Sequence, residues 1–212
     1  MDESQVPLKT ISETTRVKPR LLIFDDSVSQ LSVYCAKLSE KYAVEGVLVS
    51  SHPVYDKSLK HGLASGDWSE AIKALYTKPE QYKAVNHVVT SQDELRALLQ
   101  ERPPADYVLS DYQMRKGDIN GADVIDGADV MRIAHEELPN APRAIHTGSH
   151  LAKNEKISEL ELDQKDKLDR MKLVNAMRRY DFKIFPKPDE EKDFNPAVIE
   201  AYFAAPHGPT PD

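Results

Sequence analysis

The chain has 212 residues, 40% of them apolar and 30% charged, with a formal net charge of −7. That size and apolar share support one main core, and the excess negative charge gives no uniform attraction to nucleic acid or to an anionic membrane, so no direct nucleic-acid partner is expected. The single cysteine, Cys35, excludes an internal disulfide; the N-terminus has no apolar secretion segment, and no apolar run approaches the roughly 20 residues of a membrane-spanning helix, so a cytoplasmic protein is expected.

Residues 1–19 are polar and aperiodic and read as a disordered leader, with one domain over 20–205 and a tail over 206–212. Strand one is Leu21 to Phe24, followed by a helix from about Ser27 to Lys41 whose inward residues are Val28, Leu31, Val33 or Tyr34, and Leu38. Strand two is placed at Ala84 to Val89, because Thr90 or Ser91 then caps the helix SQDELRALLQ and Glu94 falls where a capping-box acid belongs. Strand three is Tyr107 to Leu109, followed by a polar loop and the helix GADVMRIAHEEL. Strand four is Ala144 to His146, strand five Phe182 to Phe185, and a short helix near Pro196 to Phe203 closes the domain. Short apolar runs alternating with amphipathic stretches specify an α/β fold, a doubly wound five-stranded parallel sheet in the flavodoxin-like order 2-1-3-4-5.

Two stretches exceed that minimum and are read as helical insertions. Residues 43–82 hold a candidate edge strand, VEGVLVS, and a helix, WSEAIKALYTKPEQYK. Residues 152–180 lengthen the fourth crossover, with Ile157, Leu160, Leu168, Met171, Val174 and Met177 on one stripe, expected as a buried face and, given its length, a candidate surface for dimerisation or partner docking.

In an open parallel sheet, ligands bind beyond the carboxyl ends of the strands, near the point where strand order reverses. Strand one runs into Asp25-Asp26, strand three into Asp111, strand four into Thr147 and strand five into Lys187. Three carboxylates brought together repel unless a cation sits among them, and an oxygen-only donor set favours a hard ion such as Mg²⁺. Asp25 and Asp26 are the proposed metal pair, with Asp111 as a nucleophile that accepts a phosphoryl group. The Thr147 hydroxyl and the Lys187 ammonium would then stabilise charge on the phosphoryl oxygens. Each residue alone has a plainer role: a helix cap for Asp25-Asp26, a strand-end turn for Thr147, a surface charge for Lys187. Only their order on adjacent strand ends makes a site. His146 and His150 have a metal-like spacing, but a strand-to-loop passage does not keep them on one face, so they are left out.

LLIFDDS, LSDYQM, IHTGS and FPKP, in that order, resemble the receiver family of two-component response regulators over roughly residues 20–203. The resemblance implies a stand-alone, Mg²⁺-dependent phosphoprotein whose Asp111 is phosphorylated by a histidine kinase or a histidine phosphotransfer protein, with Asp111 also a metal ligand. It also implies signalling through protein contact in a phosphorelay, without enzymatic turnover of other substrates. It further implies a metal ligand in the backbone carbonyl of Gln113 and a cis bond at Lys187-Pro188. The chain departs from the family pattern at Arg115, where a proline usually follows the methionine, in the expanded loop to Gly127, and at Ile184, where an aromatic switch residue usually lies. Two other readings are an unphosphorylated receiver-derived binding module and a phosphatase of the haloacid-dehalogenase type; the second requires an acidic residue two positions after its nucleophile, where Ser27 follows Asp25.

Overall fold

Apolar runs rich in Val, Ile and Leu become strands here, and the stretches between them become helices that cover both faces of the sheet. A computed structural model describes residues 17–50, 53–67, 79–114, 125–147, 164–187 and 194–205. In chain order the elements are β1 (Arg20–Asp25), α1 (Val28–Leu38), β2 (Ala43–Val49), α2 (Pro53–Ser65), a 3-10 segment (Pro79–Ala84), β3 (Val85–Val89), α3 (Gln92–Leu99), β4 (Tyr107–Ser110), α4 (Gly127–Glu137), β5 (Arg143–Thr147), α5 (Gln164–Tyr180), β6 (Lys183–Pro186) and α6 (Ala197–Ala204). Among the described residues no helix is long and apolar enough to cross a membrane.

The six strands are all parallel, in the order β3-β2-β1-β4-β5-β6. Strand order therefore reverses between β1 and β4. Right-handed crossovers put connections that run in opposite directions along the sheet on opposite faces, and the core divides accordingly. Leu21 and Ile23 of β1 pack with Leu31, Tyr34 and Leu38 of α1, Leu59 of α2, and Ile199 and Phe203 of α6. Leu22 and Phe24, one pleat away, pack with Leu95, Leu98 and Leu99 of α3, Val130, Met131 and Ile133 of α4, and Leu173 of α5.

The α/β class and the parallel sheet match the sequence-based expectation, whereas the strand count and order correct it. Residues 43–49 are not an edge element of an insertion; they lie between β1 and β3, so Val85–Val89, expected beside β1, is the edge strand. Two residues obscured the central place of this strand. Glu45 puts a charge in its middle, and the structure satisfies that charge with the Arg20 guanidinium at 2.7 and 2.8 Å and with His87 at 2.9 Å. Gly46 reads as a strand breaker but is required by close approach, since a Cβ there would stand 2.0 Å from the carbonyl oxygen of Ala84. With those two positions accounted for, Val47, Leu48 and Val49 are buried and α1 is joined to β2 by a short turn, the usual arrangement for sequential parallel neighbours.

The cap expectation at α3 holds for Ser91, while the return bond of the Glu94 carboxylate comes from the Thr90 amide and not from that of the N-cap residue. Ser91 Oγ accepts from the Glu94 amide at 3.2 Å while the Glu94 carboxylate accepts from the Thr90 amide at 2.9 Å. The stripe expected on α5 is corrected in part: Leu168 and Met171 are each 52% exposed, whereas Met177 packs against the core as expected, together with the fully buried Leu173, which the stripe did not include. Ile157 and Leu160 lie outside the described residues, as do 68–78 of the first expected insertion, 152–163 of the second, 1–16 and 206–212.

Candidate functional site

Phe24, Ser110, Ile145 and Ile184 form one row across β1, β4, β5 and β6, and the polar residues of interest all follow that row at the carboxyl ends of the strands. The ladder holds these ends together past the last paired row: the Asp111 amide donates to the Phe24 carbonyl at 2.8 Å, and the Lys187 amide donates to the Thr147 carbonyl at 2.8 Å. Sequence-distant groups thus meet because four adjacent strands end level beside the point where strand order reverses.

One carboxylate oxygen from each of Asp25, Asp26 and Asp111 lies within 4.8 Å of the other two. Lys187 Nζ stands 3.2 Å from Asp25 Oδ2 and 3.2 Å from Asp111 Oδ1. Asp25 is 1% exposed and accepts a further hydrogen bond from the Ser27 amide at 2.8 Å; Asp111 accepts one from the Tyr112 amide at 2.8 Å. Thr147, 1% exposed, ends β5 next to the strand that delivers Lys187. Gln113 is exposed between the buried Tyr112 and Met114 at the start of the β4–α4 loop. Gly148, His150 and Pro188 lie outside the described residues, and the expected cis bond at Lys187-Pro188 lies outside them with Pro188.

The electrostatics follow from burial first. Desolvation pushes the Asp25 carboxyl up to about 7, against the pull of Lys187 and the Ser27 amide, with Asp111 and Asp26 pushing it further. Burial alone would lower the Lys187 ammonium, but the carboxylates of Asp25 and Asp111 outweigh it and hold the amine above its ordinary value. The cluster therefore has more negative charge than one lysine neutralises at little cost. Three carboxylates within 4.8 Å, with no histidine or thiol among them, fit a hard divalent cation.

α4 is anchored against the carboxyl end of β4. Asp126 and Asp129 form a reciprocal capping box, and the Gly127 amide donates to the Tyr112 carbonyl at 3.1 Å. A Cβ on Gly127 would meet the Asp111 carbonyl oxygen at 2.2 Å, so the helix approaches the Asp111 backbone as closely as only glycine permits.

Sequence reasoning missed the layer beneath these residues. His146 is buried behind Thr147, with Nδ1 2.7 Å from the Tyr34 hydroxyl and Nε2 3.2 Å from the Pro186 carbonyl. Burial, reinforced by the charge of Lys187, drives its pKa down to about 4. The signal available in the sequence was the polar residue inside an apolar strand, IHT, together with the inward-facing Tyr34.

No protein-family model and no curated protein matches the chain. Among solved structures it is similar to a response-regulator receiver protein from Sinorhizobium medicae, at 14% identity and a TM-score of 0.40 over 90% of this chain and 98% of that one. It is similar to the BeF3-activated DrrB receiver domain at 12% identity and a TM-score of 0.41, over 87% and 93%. A short-chain dehydrogenase from Oenococcus oeni aligns at 11% identity and a TM-score of 0.40, over 91% and 93%. The first βα turn bears on what could bind there, independently of these likenesses. A dinucleotide site needs glycines there so that backbone amides can approach a pyrophosphate, and this turn reads Asp25-Asp26-Ser27-Val28, with two carboxylates where an anion would sit.

Proposed function

We propose that the chain carries a phosphoacceptor module of the receiver type, in which Asp111 takes a phosphoryl group from a histidine kinase or a phosphotransfer protein. The observation that carries this reading is the position of Lys187 Nζ, 3.2 Å from both Asp25 and Asp111 at the reversal point of the sheet. A carboxylate oxygen of Asp111 attacks phosphorus; the new O–P bond forms as the bond to the donor group breaks, and the donor leaves with that electron pair. The Lys187 ammonium shifts from its carboxylate partners toward a phosphoryl oxygen, and the Thr147 hydroxyl donates to another, so charge developing on the transferred group is met by donors already in place. Asp25 and Asp26, with Asp111 itself and the Gln113 carbonyl, would hold Mg²⁺, which supplies positive charge to the phosphoryl oxygens.

The reaction alters this chain and turns over no other substrate, so output passes through contact with a partner protein or a second copy. Ile184 occupies the usual aromatic switch position and packs against the core on the α4 and α5 side, which supports an output route other than an aromatic relay.

Incubation with Mg²⁺ and acetyl phosphate, read by intact mass, tests the proposal. The expected result is one added phosphoryl group on the wild type and none on Asp111→Asn. An unmodified wild type refutes it, and hydrolysis of a phosphate monoester that is lost in Asp25→Asn but kept in Asp111→Asn would favour the dehalogenase-type reading.

A further inference from the structure

The geometry points to His146 as a positioning residue for the acceptor site: held in one tautomer by Tyr34, it clamps the Pro186 carbonyl and so fixes where the Lys187 side chain starts. This rests on the proposed acceptor role of Asp111. The Pro186 carbonyl can only accept, so in the neutral ring Nε2 carries the proton at 3.2 Å from that oxygen. Nδ1 is then the acceptor, and the Tyr34 hydroxyl donates to it at 2.7 Å. Only one tautomer satisfies both contacts.

The clamp sits one residue before each catalytic group. His146 precedes Thr147 on β5, Pro186 ends β6 just before Lys187, and the Lys187 amide closes the ring by donating to the Thr147 carbonyl at 2.8 Å. Because β6 is only four residues long and is the last strand of the sheet, its carboxyl end has ladder contacts on one side only. The imidazole adds a side-chain bond where that ladder runs out. Packing holds the ring itself: Phe194 lies 5.1 Å from the His146 ring and 5.2 Å from Tyr34, edge-on to the latter. α1, which starts at the metal-binding turn, is thereby tied through Tyr34 to the strand ends that carry Thr147 and Lys187.

The test combines two substitutions with readouts that do not all need phosphorylation. His146→Leu removes the clamp at similar volume, whereas His146→Gln keeps an amide N–H that reaches the Pro186 carbonyl. The expected result is a phosphorylation rate from acetyl phosphate reduced about tenfold or more in His146→Leu and largely restored in His146→Gln. Mg²⁺ affinity, measured by calorimetry without any phosphoryl donor, should rise in His146→Leu, because a displaced Lys187 no longer competes with the cation for Asp25 and Asp111; general destabilisation of the site would lower it. Side-chain ¹⁵N shifts of the wild type, read without metal or donor, should show the Nε2–H tautomer, and Tyr34→Phe should shift Nδ1. An Nδ1–H tautomer, or a His146→Leu protein with wild-type Mg²⁺ affinity, overturns the clamp. A wild type that takes up no phosphoryl group but shows the predicted tautomer and Mg²⁺ response overturns the acceptor reading and leaves the clamp standing.

Discussion

Asp25→Asn should make the metal-free protein more stable at alkaline pH and leave it unchanged in acid. The Asp25 carboxyl is 1% exposed, and burial holds its pKa at about 7, whereas in the unfolded chain it titrates at about 3.9. Below pH ~4 both states carry the proton, and this group contributes nothing to the pH dependence. Between ~4 and ~7 the unfolded chain has released the proton and the folded one has not, so unfolding free energy falls by about 1.4 kcal/mol per pH unit. Over roughly three units the loss reaches about 4 kcal/mol, and above pH ~7 it is constant. The substituted side chain keeps an oxygen for the Ser27 amide but carries no charge, so the variant should recover about 2 to 4 kcal/mol at pH 8 in the absence of divalent ions. Urea unfolding of both proteins across pH 4 to 8 in chelator measures the difference. Adding Mg²⁺ at pH 8 should stabilise the wild type, because the ion binds only the folded cluster, and should stabilise the variant less. Parallel curves for the two proteins from pH 4 to 8 would refute the account of a buried carboxylate whose desolvation outweighs the pull of Lys187 and the Ser27 amide.

Gly46→Ala sets a methyl group against the Ala84 carbonyl, 2.0 Å from the ideal Cβ, and should destabilise the fold by about 2 kcal/mol or more in chemical denaturation, although Gly→Ala in an open strand would stabilise it. Gly127→Ala should impair phosphoryl uptake from acetyl phosphate, because its Cβ would press on the Asp111 carbonyl, while Mg²⁺-free stability falls by a comparable step. Leu173→Ala opens a cavity in the core and should lower the unfolding free energy by about 2 to 5 kcal/mol, whereas Leu168→Ala on the exposed side of the same helix should stay within about 0.5 kcal/mol.

Much of the site was legible because its residues sit at strand ends, and strand ends are marked by the change from apolar to polar. LLIF before Asp25, YVLS before Asp111, RAI before His146-Thr147 and KIFP before Lys187 each show that change, and reversal of strand order anywhere beside β1 brings them together. The site was therefore insensitive to the misplacement of β2. That strand was read as an edge element and not as a central one, because Glu45 and Gly46 look wrong for a buried parallel strand until Arg20 and the Ala84 carbonyl, distant in sequence, explain them. The α5 stripe failed at Leu168 and Met171 for a different reason. Leu168, Met171 and Leu173 are all apolar, and with one long charged helix several apolar faces compete; contact with α4 decides in favour of Leu173. His146 was placed on its strand, but its two partners, Tyr34 and the Pro186 carbonyl, come from α1 and β6 and were not legible in the sequence.

Borohydride trapping tests the central claim most directly. The protein is treated with acetyl phosphate and Mg²⁺, the acyl phosphate is reduced, and the peptides are mapped by mass spectrometry. Conversion of Asp111, and no other aspartate, to homoserine in a Mg²⁺-dependent manner is the predicted result. Conversion at Asp25 instead, or none at any aspartate while the Asp25, Asp26 and Asp111 cluster binds Mg²⁺, would contradict it.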